Sequence, residues 1–357
     1  MKIAELCPYS LSVPGGVQGQ VIGLARAMRN LGHEVEIIAP SDAPLSIESV
    51  RSIGPSIRVP ANGSRAPVAI SPQSLARTAA IVRDGGYDLI HIHEPFAPGP
   101  SLVALFAAKA PVVGTFHRHG VTIPYRGLGC LLSRSKDRLS LRFAVSVDAM
   151  LTARRIFGGR YHIVGNGVDL HAFEVATAWP KQSPTIMFIG RHERRKGLEV
   201  LIDAFMGIED SDLTCWVVGE GPQTAHLRAI TRGDPRIVWL GQVSEAEAVA
   251  RMKAADVLCA PSLYGESFGL VLLEGMAAGS LIVATDIAGY RGVARDNIEA
   301  ILVAPKDVLA LRIALLRALE NGELGENLRS NGRARALEFS IENLAKTYLD
   351  SFATLIT

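Results

Sequence analysis

Short apolar runs that look like strands alternate with helical patterns along the whole chain, and no other feature limits the fold so tightly. In the first half the runs are 2–6, 34–39, 88–93, 111–116, 143–147 and 162–164. In the second they are 185–189, 213–218, 236–239, 257–260, 281–284 and 300–303. Helical periodicity fills gaps between them at 17–30, 198–205, 245–254, 274–278 and 307–321, and a last helix is expected at 341–356. Parallel strands need a crossover connection, so this alternation predicts parallel sheets with helices on both faces. Two such series in 357 residues predict two doubly wound domains. The seam is expected at 165–184, where GNGVDLHAFEVATAWPKQSP carries loop-forming residues and no sustained period.

A hydrophobic content of 48% with 20% charged residues allows a large buried core and excludes a disordered chain. No signal-peptide pattern opens the sequence, and no apolar stretch has bilayer-spanning length, which predicts a cytoplasmic protein. Cys7, Cys130, Cys215 and Cys259 lie far apart, as expected of reduced thiols and not of a disulfide framework or zinc site. Residues 1–166 hold 18 Lys and Arg against 10 Asp and Glu, a net of +8. The remainder holds 19 against 25, a net of −6. A basic first half suggests an anionic partner there, or ordinary surface variation.

Residues 8–18, PYSLSVPGGVQ, place the pair Gly15 and Gly16 between a strand and a helix, where α/β proteins bind phosphate or sugar. The spacing is neither a dinucleotide fingerprint nor a P-loop. In the second half GRHERRKG, 190–197, sets Arg191 at a strand's carboxyl end and Lys196 at the next helix's start. Two cations on one rim can hold a pyrophosphate and stabilise the charge that builds as it leaves. A solvated, helix-capping charge run would look the same. GESFGLVLLEGMAAG, 265–279, puts Glu266 in a loop and Glu274 inside a helix, amid Leu272, Leu273 and Met276. Backbone N–H groups of Phe268, Gly269 and Leu270 are expected at that helix's N-terminus, where they can meet an anion. Carboxylates accept from vicinal hydroxyls, so one glutamate suits a hexose and the other a ribose.

His91 and His93 share one face of a strand in DLIHIHEP, with no obvious third metal ligand; a structural or acceptor-contacting role is expected. His117 emerges at a strand's carboxyl end in VVGTFHRHG, followed by His119, and is the stronger active-site candidate. Asp210-Ser211-Asp212 spells a metal-binding D-x-D but falls before a strand's amino end, and no metal site is assigned. Asn62-Gly63-Ser64 spells a glycosylation sequon without meaning in a cytoplasmic chain.

PGGVQ, HIHEP, GTFH, GNGVD, GRHERRKG and ADVLCAPSLYGESFGLVLLEGMAAG, in this order over nearly the whole chain, resemble the retaining glycosyltransferases of family 4. CPYS with VPGGVQ, NGS, HIHEP and GESFG are similar to the same segments of actinobacterial phosphatidylinositol mannosyltransferases. The resemblance implies the GT-B fold, two Rossmann-like domains facing an interdomain cleft. It implies an acceptor-binding domain of 1–166 plus a crossover helix at 338–357, and a nucleotide-sugar domain of 167–337. Arg191 and Lys196 would contact the pyrophosphate, Glu266 the sugar hydroxyls and Glu274 the ribose. Gly15 and Gly16 would approach the donor, with Phe268, Gly269 and Leu270 beside it. Glu245, in QVSEAE, would read the base, favouring GDP-mannose over UDP-sugars. His117 would stand where donor meets acceptor, and Tyr9, Pro14, Asn62 and Ser64 would contact the acceptor.

Transfer would keep the anomeric configuration with no cofactor beyond the donor, Mg being an optional companion of its phosphates. The implied partners are a nucleotide sugar and an anionic lipid or polyol such as phosphatidylinositol, not nucleic acid. Weak membrane contact would come through the basic N-terminal domain, on the cytoplasmic face. The chain departs from the mannosyltransferases at Ser12, where an acid is expected, and at Pro67 and Thr122, where bases are. Its interfacial helix SPQSLARTAAIVR keeps only Arg77 and Arg83, with Arg126, Arg134, Lys136, Arg138 and Arg142 as other cations. These departures leave open a UDP-sugar enzyme acting on a soluble sugar. Readings from other classes are a dinucleotide oxidoreductase using Asp42 and a non-catalytic sugar-nucleotide binder.

Overall fold

The computed structural model describes residues 1–13, 15–61, 64–118, 120, 135–320 and 322–356. They form two compact units, Met1–Gly167 with Ile341–Thr357, and Val168–Ser340. The first unit carries β1 (Lys2–Leu6), β2 (Glu34–Ala39), β3 (Val50–Ser52), β6 (Leu89–His93), β7 (Val112–Phe116), β8 (Leu139–Ala144) and β9 (His162–Ile163). They make one parallel sheet in the order β3-β2-β1-β6-β7-β8-β9. Chain direction across the sheet reverses between β1 and β6, the switch point where open α/β sheets bind ligands. Between β3 and β6, β4 (Ile57–Ala61) and β5 (Ser64–Val68) form a separate antiparallel hairpin that the sequence patterning did not predict.

The chain's last helix, Ile341–Ala353, belongs to this first unit. Ile341, Leu344, Ala345, Tyr348, Leu349 and Phe352 recur at helical spacing and enter the core around Ile3, Val21, Leu24 and Met28. Each large apolar side chain buried here contributes roughly 1.5–3 kcal/mol. Gly23 of helix Gly16–Asn30 lets the two helices approach, since a Cβ there would lie 3.3 Å from Ile341 Cγ1.

The strand expected at 143–147 instead spans Leu139–Ala144. Ser146 ends the run by capping helix Val147–Phe157, its hydroxyl accepting from the Ala149 N–H at 3.1 Å. The expected seam at 165–184 contains a short helix, Leu170–Val175, capped by Asp169. Asp210-Ser211-Asp212 is a turn before the next strand, closed by the Asp212 N–H on the Asp210 carboxylate at 2.9 Å.

The second unit repeats the doubly wound plan with β10 (Thr185–Ile189), β11 (Thr214–Val218), β12 (Ile237–Gly241), β13 (Val257–Ala260), β14 (Leu281–Thr285) and β15 (Ile301–Val303). The order is β12-β11-β10-β13-β14-β15, all parallel, with the reversal between β10 and β13. Ile186, Phe188, Val217, Val283, Leu201, Phe205 and Leu315 centre its core. The helical period read at 274–278 extends back to Leu270, at the N-terminus expected around 268–270, because Gly269 turns the chain with φ 93°. A side chain at that position would meet Tyr290 Cδ1 at 2.7 Å, so the turn needs glycine twice over. Among the described residues no helix is long and apolar enough to cross a membrane.

Candidate active-site residues

In the second unit the segments leaving β10 and β13 stand side by side at the switch point. After β10 the chain runs through Gly190 and Arg191 to a 3₁₀ turn, Arg194–Lys196, and Gly197 at φ 68° starts helix Leu198–Met206. That left-handed turn presses on the partner segment, since a Cβ on Gly197 would lie 1.9 Å from the Pro261 carbonyl oxygen. Lys196 Nζ reaches Glu266 Oε1 at 2.7 Å, and Arg195 Nη1 reaches the same oxygen at 3.2 Å. The Ser262 hydroxyl also donates to it at 3.1 Å and accepts from the Tyr290 hydroxyl at 2.9 Å. Glu193 joins Arg191 to this array, taking Arg191 Nε at 3.1 Å and Arg195 Nε at 2.9 Å. Burial pushes the Glu266 carboxyl up, but Lys196 and Arg195 outweigh it and hold the group below its ordinary range. Arg191, Lys196 and Glu266 are therefore gathered on one rim. Arg195, Glu193, Ser262 and Tyr290 complete the array and were not singled out from the sequence. The run of three cations in GRHERRKG was the only signal for Arg195.

Glu274 lies inside helix Leu270–Ala278, one turn in from Gly269. Burial first, and the charge of Glu245 second, push its carboxyl up to about 7, with Lys196 pulling the other way. Glu245 is exposed at the start of helix Glu245–Ala254, which Ser244 caps on the Glu247 N–H. Phe268 is buried against Phe339, while Gly269 and Leu270 open the helix as expected. Near Arg191, the His192 ring is buried with Nδ1 on Thr224 Oγ1 at 2.8 Å and Nε2 without a partner.

In the first unit Gly15 and Gly16 stand at the start of helix Gly16–Asn30. Their roles differ from the expectation of one open pair. A Cβ on Gly15 would strike Gln18 Oε1 at 2.5 Å, whereas one on Gly16 meets nothing within 4 Å. Gln18 holds the preceding loop by donating to the carbonyls of Val13 at 3.0 Å and Ser10 at 3.4 Å. Only Gly16 therefore faces open space. Asp42 is engaged by Ser10 and Ser56, which fits a loop brace better than a ribose acid. Ser12 accepts from the N–H groups of Asp42 and Ala43 at 3.0 and 3.1 Å. Pro67 pairs in register with the exposed Arg58, and Ser64 opens β5 opposite Ala61. Pro14, Asn62, His119, Thr122, Arg126, Cys130 and Arg134 lie outside the described residues. Arg83 pairs with Asp84, and Arg138 turns toward the carbonyls of Leu105 and Ala108.

His117 follows β7 directly and is 8% exposed. Its backbone N–H donates to Glu94 Oε1 at 2.7 Å. Glu94 is a buried non-glycine residue at φ 53°, its carboxyl pushed up to about 7 by burial. A strained, buried acid beside the candidate histidine is a functional signal. The sequence carried it only as the E of HIHEP. Tyr9 is bridged to Val68, and burial first, then the charge of Glu94, push its hydroxyl up. The expectation that His91 and His93 lack a third partner is corrected by Glu5, fully buried on β1. Parallel register sets Glu5 beside His91 from a strand 86 residues away. The three groups offer donor atoms within 4.8 Å of one another.

Residues 172–335 match the family model of glycosyl transferases group 1, and residues 14–172 that of glycosyltransferase family 4. With two doubly wound parallel-sheet units, the chain belongs to this family of glycosyltransferases and has the GT-B fold. It is similar along its length to the phosphatidyl-myo-inositol mannosyltransferase of Mycobacterium leprae, at 36% identity over 100% of this chain and 98% of that protein. The protein of the same name from Mycolicibacterium smegmatis is 35% identical over 96% and 91%. Among solved structures, Anabaena Alr3699/HepE in complex with UDP-glucose aligns with a TM-score of 0.79 at 19% identity, covering 99% of this chain and all of that one. A glycosyltransferase from Rickettsia africae aligns at 0.76 and 20%, covering 100% and 98%.

Proposed function

We propose that this glycosyltransferase is a retaining mannosyltransferase that moves mannose from GDP-mannose to phosphatidylinositol or a closely related polyol lipid. The observation that carries the donor half is the array of Arg191, Glu193, Arg195, Glu266 and Lys196 beside Glu274. Cations there neutralise the pyrophosphate, and Lys196 and Arg191 take over the charge stabilisation that a metal would otherwise supply as the diphosphate leaves. Glu266, kept ionised by its neighbours, accepts from mannose hydroxyls, and Glu274 accepts from the ribose. Glu245 accepts from the guanine edge. The full-length similarity to phosphatidyl-myo-inositol mannosyltransferases supports the sugar and the lipid.

In the first unit Gly16 gives the donor access to the helix terminus. His117, Tyr9, Pro14, Asn62 and Ser64 are assigned to the acceptor, at a membrane surface reached through the unit's basic side. No cofactor beyond the donor is assigned. One assay matrix tests the reading: GDP-mannose, UDP-glucose and UDP-N-acetylglucosamine against phosphatidylinositol vesicles, free inositol and glucose 6-phosphate. Transfer from GDP-mannose to phosphatidylinositol with retained configuration is expected. Transfer only from a UDP-sugar, or only to a soluble sugar, would overturn it.

A further inference from the structure

Parallel strands buried on both faces ordinarily read as unbroken apolar runs. In the first unit three adjacent strands break that rule on one face. Glu5 on β1, His91 and His93 on β6 and Thr115 on β7 are all within 1% of complete burial. They form one chain of hydrogen bonds. His117 Nε2 lies 2.8 Å from His93 Nδ1, and His93 Nε2 lies 2.9 Å from Glu5 Oε2. Glu5 Oε1 lies 3.0 Å from His91 Nδ1, and His91 Nε2 lies 2.7 Å from Thr115 Oγ1. Thr115 Oγ1 in turn lies 2.9 Å from the Tyr348 hydroxyl on the terminal helix.

We propose that Glu5 is a positioning residue that, through His93, fixes His117 as its Nε2–H tautomer and reserves Nδ1 as a hydrogen-bond acceptor. The direction of the chain follows from counting protons. An ionised carboxylate only accepts, so His93 gives it the Nε2 proton and His91 the Nδ1 proton. A neutral His93 then has only a lone pair at Nδ1, which must accept from His117 Nε2–H. A neutral His117 is left with a lone pair at Nδ1. Two properties of the site agree with these charge states. Burial pushes Glu5 up, but His91 and His93 overcome it and hold the carboxyl at about 2. Burial lowers His93 below the ordinary histidine value, and His117 well below it. The rings are also packed in place, His117 lying over His93 with centroids 5.1 Å apart and planes 25° apart.

The same three donor atoms could surround a cation. However, both Glu5 oxygens already face imidazole nitrogens, and the outer nitrogens face Thr115 and His117, so the group is complete as a relay. Resting on the transferase reading above, the consequence is chemical. A substrate hydroxyl that meets His117 Nδ1 is met as a donor, which turns an oxygen lone pair away from the ring toward the sugar.

The test is imidazole long-range ¹H–¹⁵N spectroscopy of histidine-labelled full-length protein, with His117→Gln assigning the signal. Wild type is expected to show His117 protonated at Nε2 only. Glu5→Gln accepts from only one histidine, and the ring that its amide N–H group faces must switch tautomer. Where that ring is His91, its proton moves from Nδ1 to Nε2, and where it is His93, His117 gains the Nδ1–H form. Turnover should then fall roughly tenfold to a hundredfold with the donor KM little changed. An Nδ1–H His117 in wild type, or a folded Glu5→Gln in which both His91 and His117 keep their wild-type tautomers, would overturn the proposal, as would one tightly held metal ion per chain. The wild-type spectrum decides the matter even if Glu5→Gln fails to fold. It also reads the tautomer whatever sugar or acceptor the enzyme uses, so failure here is separate from failure of the mannosyltransfer reading.

Discussion

Lys196 Nζ sits 2.7 Å from Glu266 Oε1, and both side chains are largely buried. The carboxylate assigned to the sugar is thus oriented before any donor arrives, with Arg195 and Ser262 on the same oxygen. Preorganised charge of this kind lowers a barrier without reorganisation at the moment of reaction. Lys196→Ala and Glu266→Ala are each expected to lower turnover by a hundredfold or more, about 2.7 kcal/mol per hundredfold. The double variant should lose far less than the sum, because the two groups act as one unit. Steady-state kinetics on the three proteins checks this. Near-wild-type rates in both single variants would remove the site assignment.

Glu274 carries a stability cost that follows pH. Its folded carboxyl sits at about 7, above the unfolded value of 4.5, because burial and Glu245 oppose its charge. The unfolded chain therefore releases that proton first, and wild-type stability falls as pH rises from 4.5 through about 7. Glu274→Gln abolishes the effect. Thermal unfolding should find the variant level with wild type near pH 4.5 and more stable above pH 7, yet poorer in donor binding. Wild-type donor affinity should itself rise with pH through about 7, as the ionised carboxylate becomes available to the ribose.

Gly16 is the first residue of its helix, and open space surrounds the position of a Cβ. Gly16→Val is expected to keep wild-type circular dichroism and melting temperature within about 0.5 kcal/mol of stability. Its transferase activity should nonetheless collapse, because the added methyl groups fill the space assigned to the donor at this helix start. Full activity in a folded Gly16→Val would move the donor away from this loop.

Gly269 has the opposite character. Its φ of 93° and the 2.7 Å distance from a built Cβ to Tyr290 leave no room for a side chain. Gly269→Ala should cost about 1–3 kcal/mol in urea unfolding. It should also lower activity, since Tyr290 holds Ser262 and Ser262 holds Glu266.

Much of this arrangement was legible in the chain. The alternation of apolar runs and helical periods predicted both parallel sheets, and β1, β2, β10 and β13 fall where the runs do. Arg191, Lys196, Glu266 and Glu274 stood out because charged groups flank or interrupt otherwise apolar segments. The pairing of β4 with β5 was missed because IRVPANGSRAPV has two prolines and little alternation. In helix Leu270–Ala278 the period is legible only from 274, because a glycine start carries no side-chain cap to mark the first turn.

Local sequence determined which residues take helix or strand and which charged motifs end the strands, since period and turn chemistry act over a few residues. Tertiary structure alone decided the partners. Glu5 meets His91 across 86 residues, Thr115 meets Tyr348 across 233, and Ser262 meets Tyr290 across 28. Strand register and the docking of the last helix set those contacts, and no periodicity within a single segment encodes which face of which neighbour a buried polar group will find.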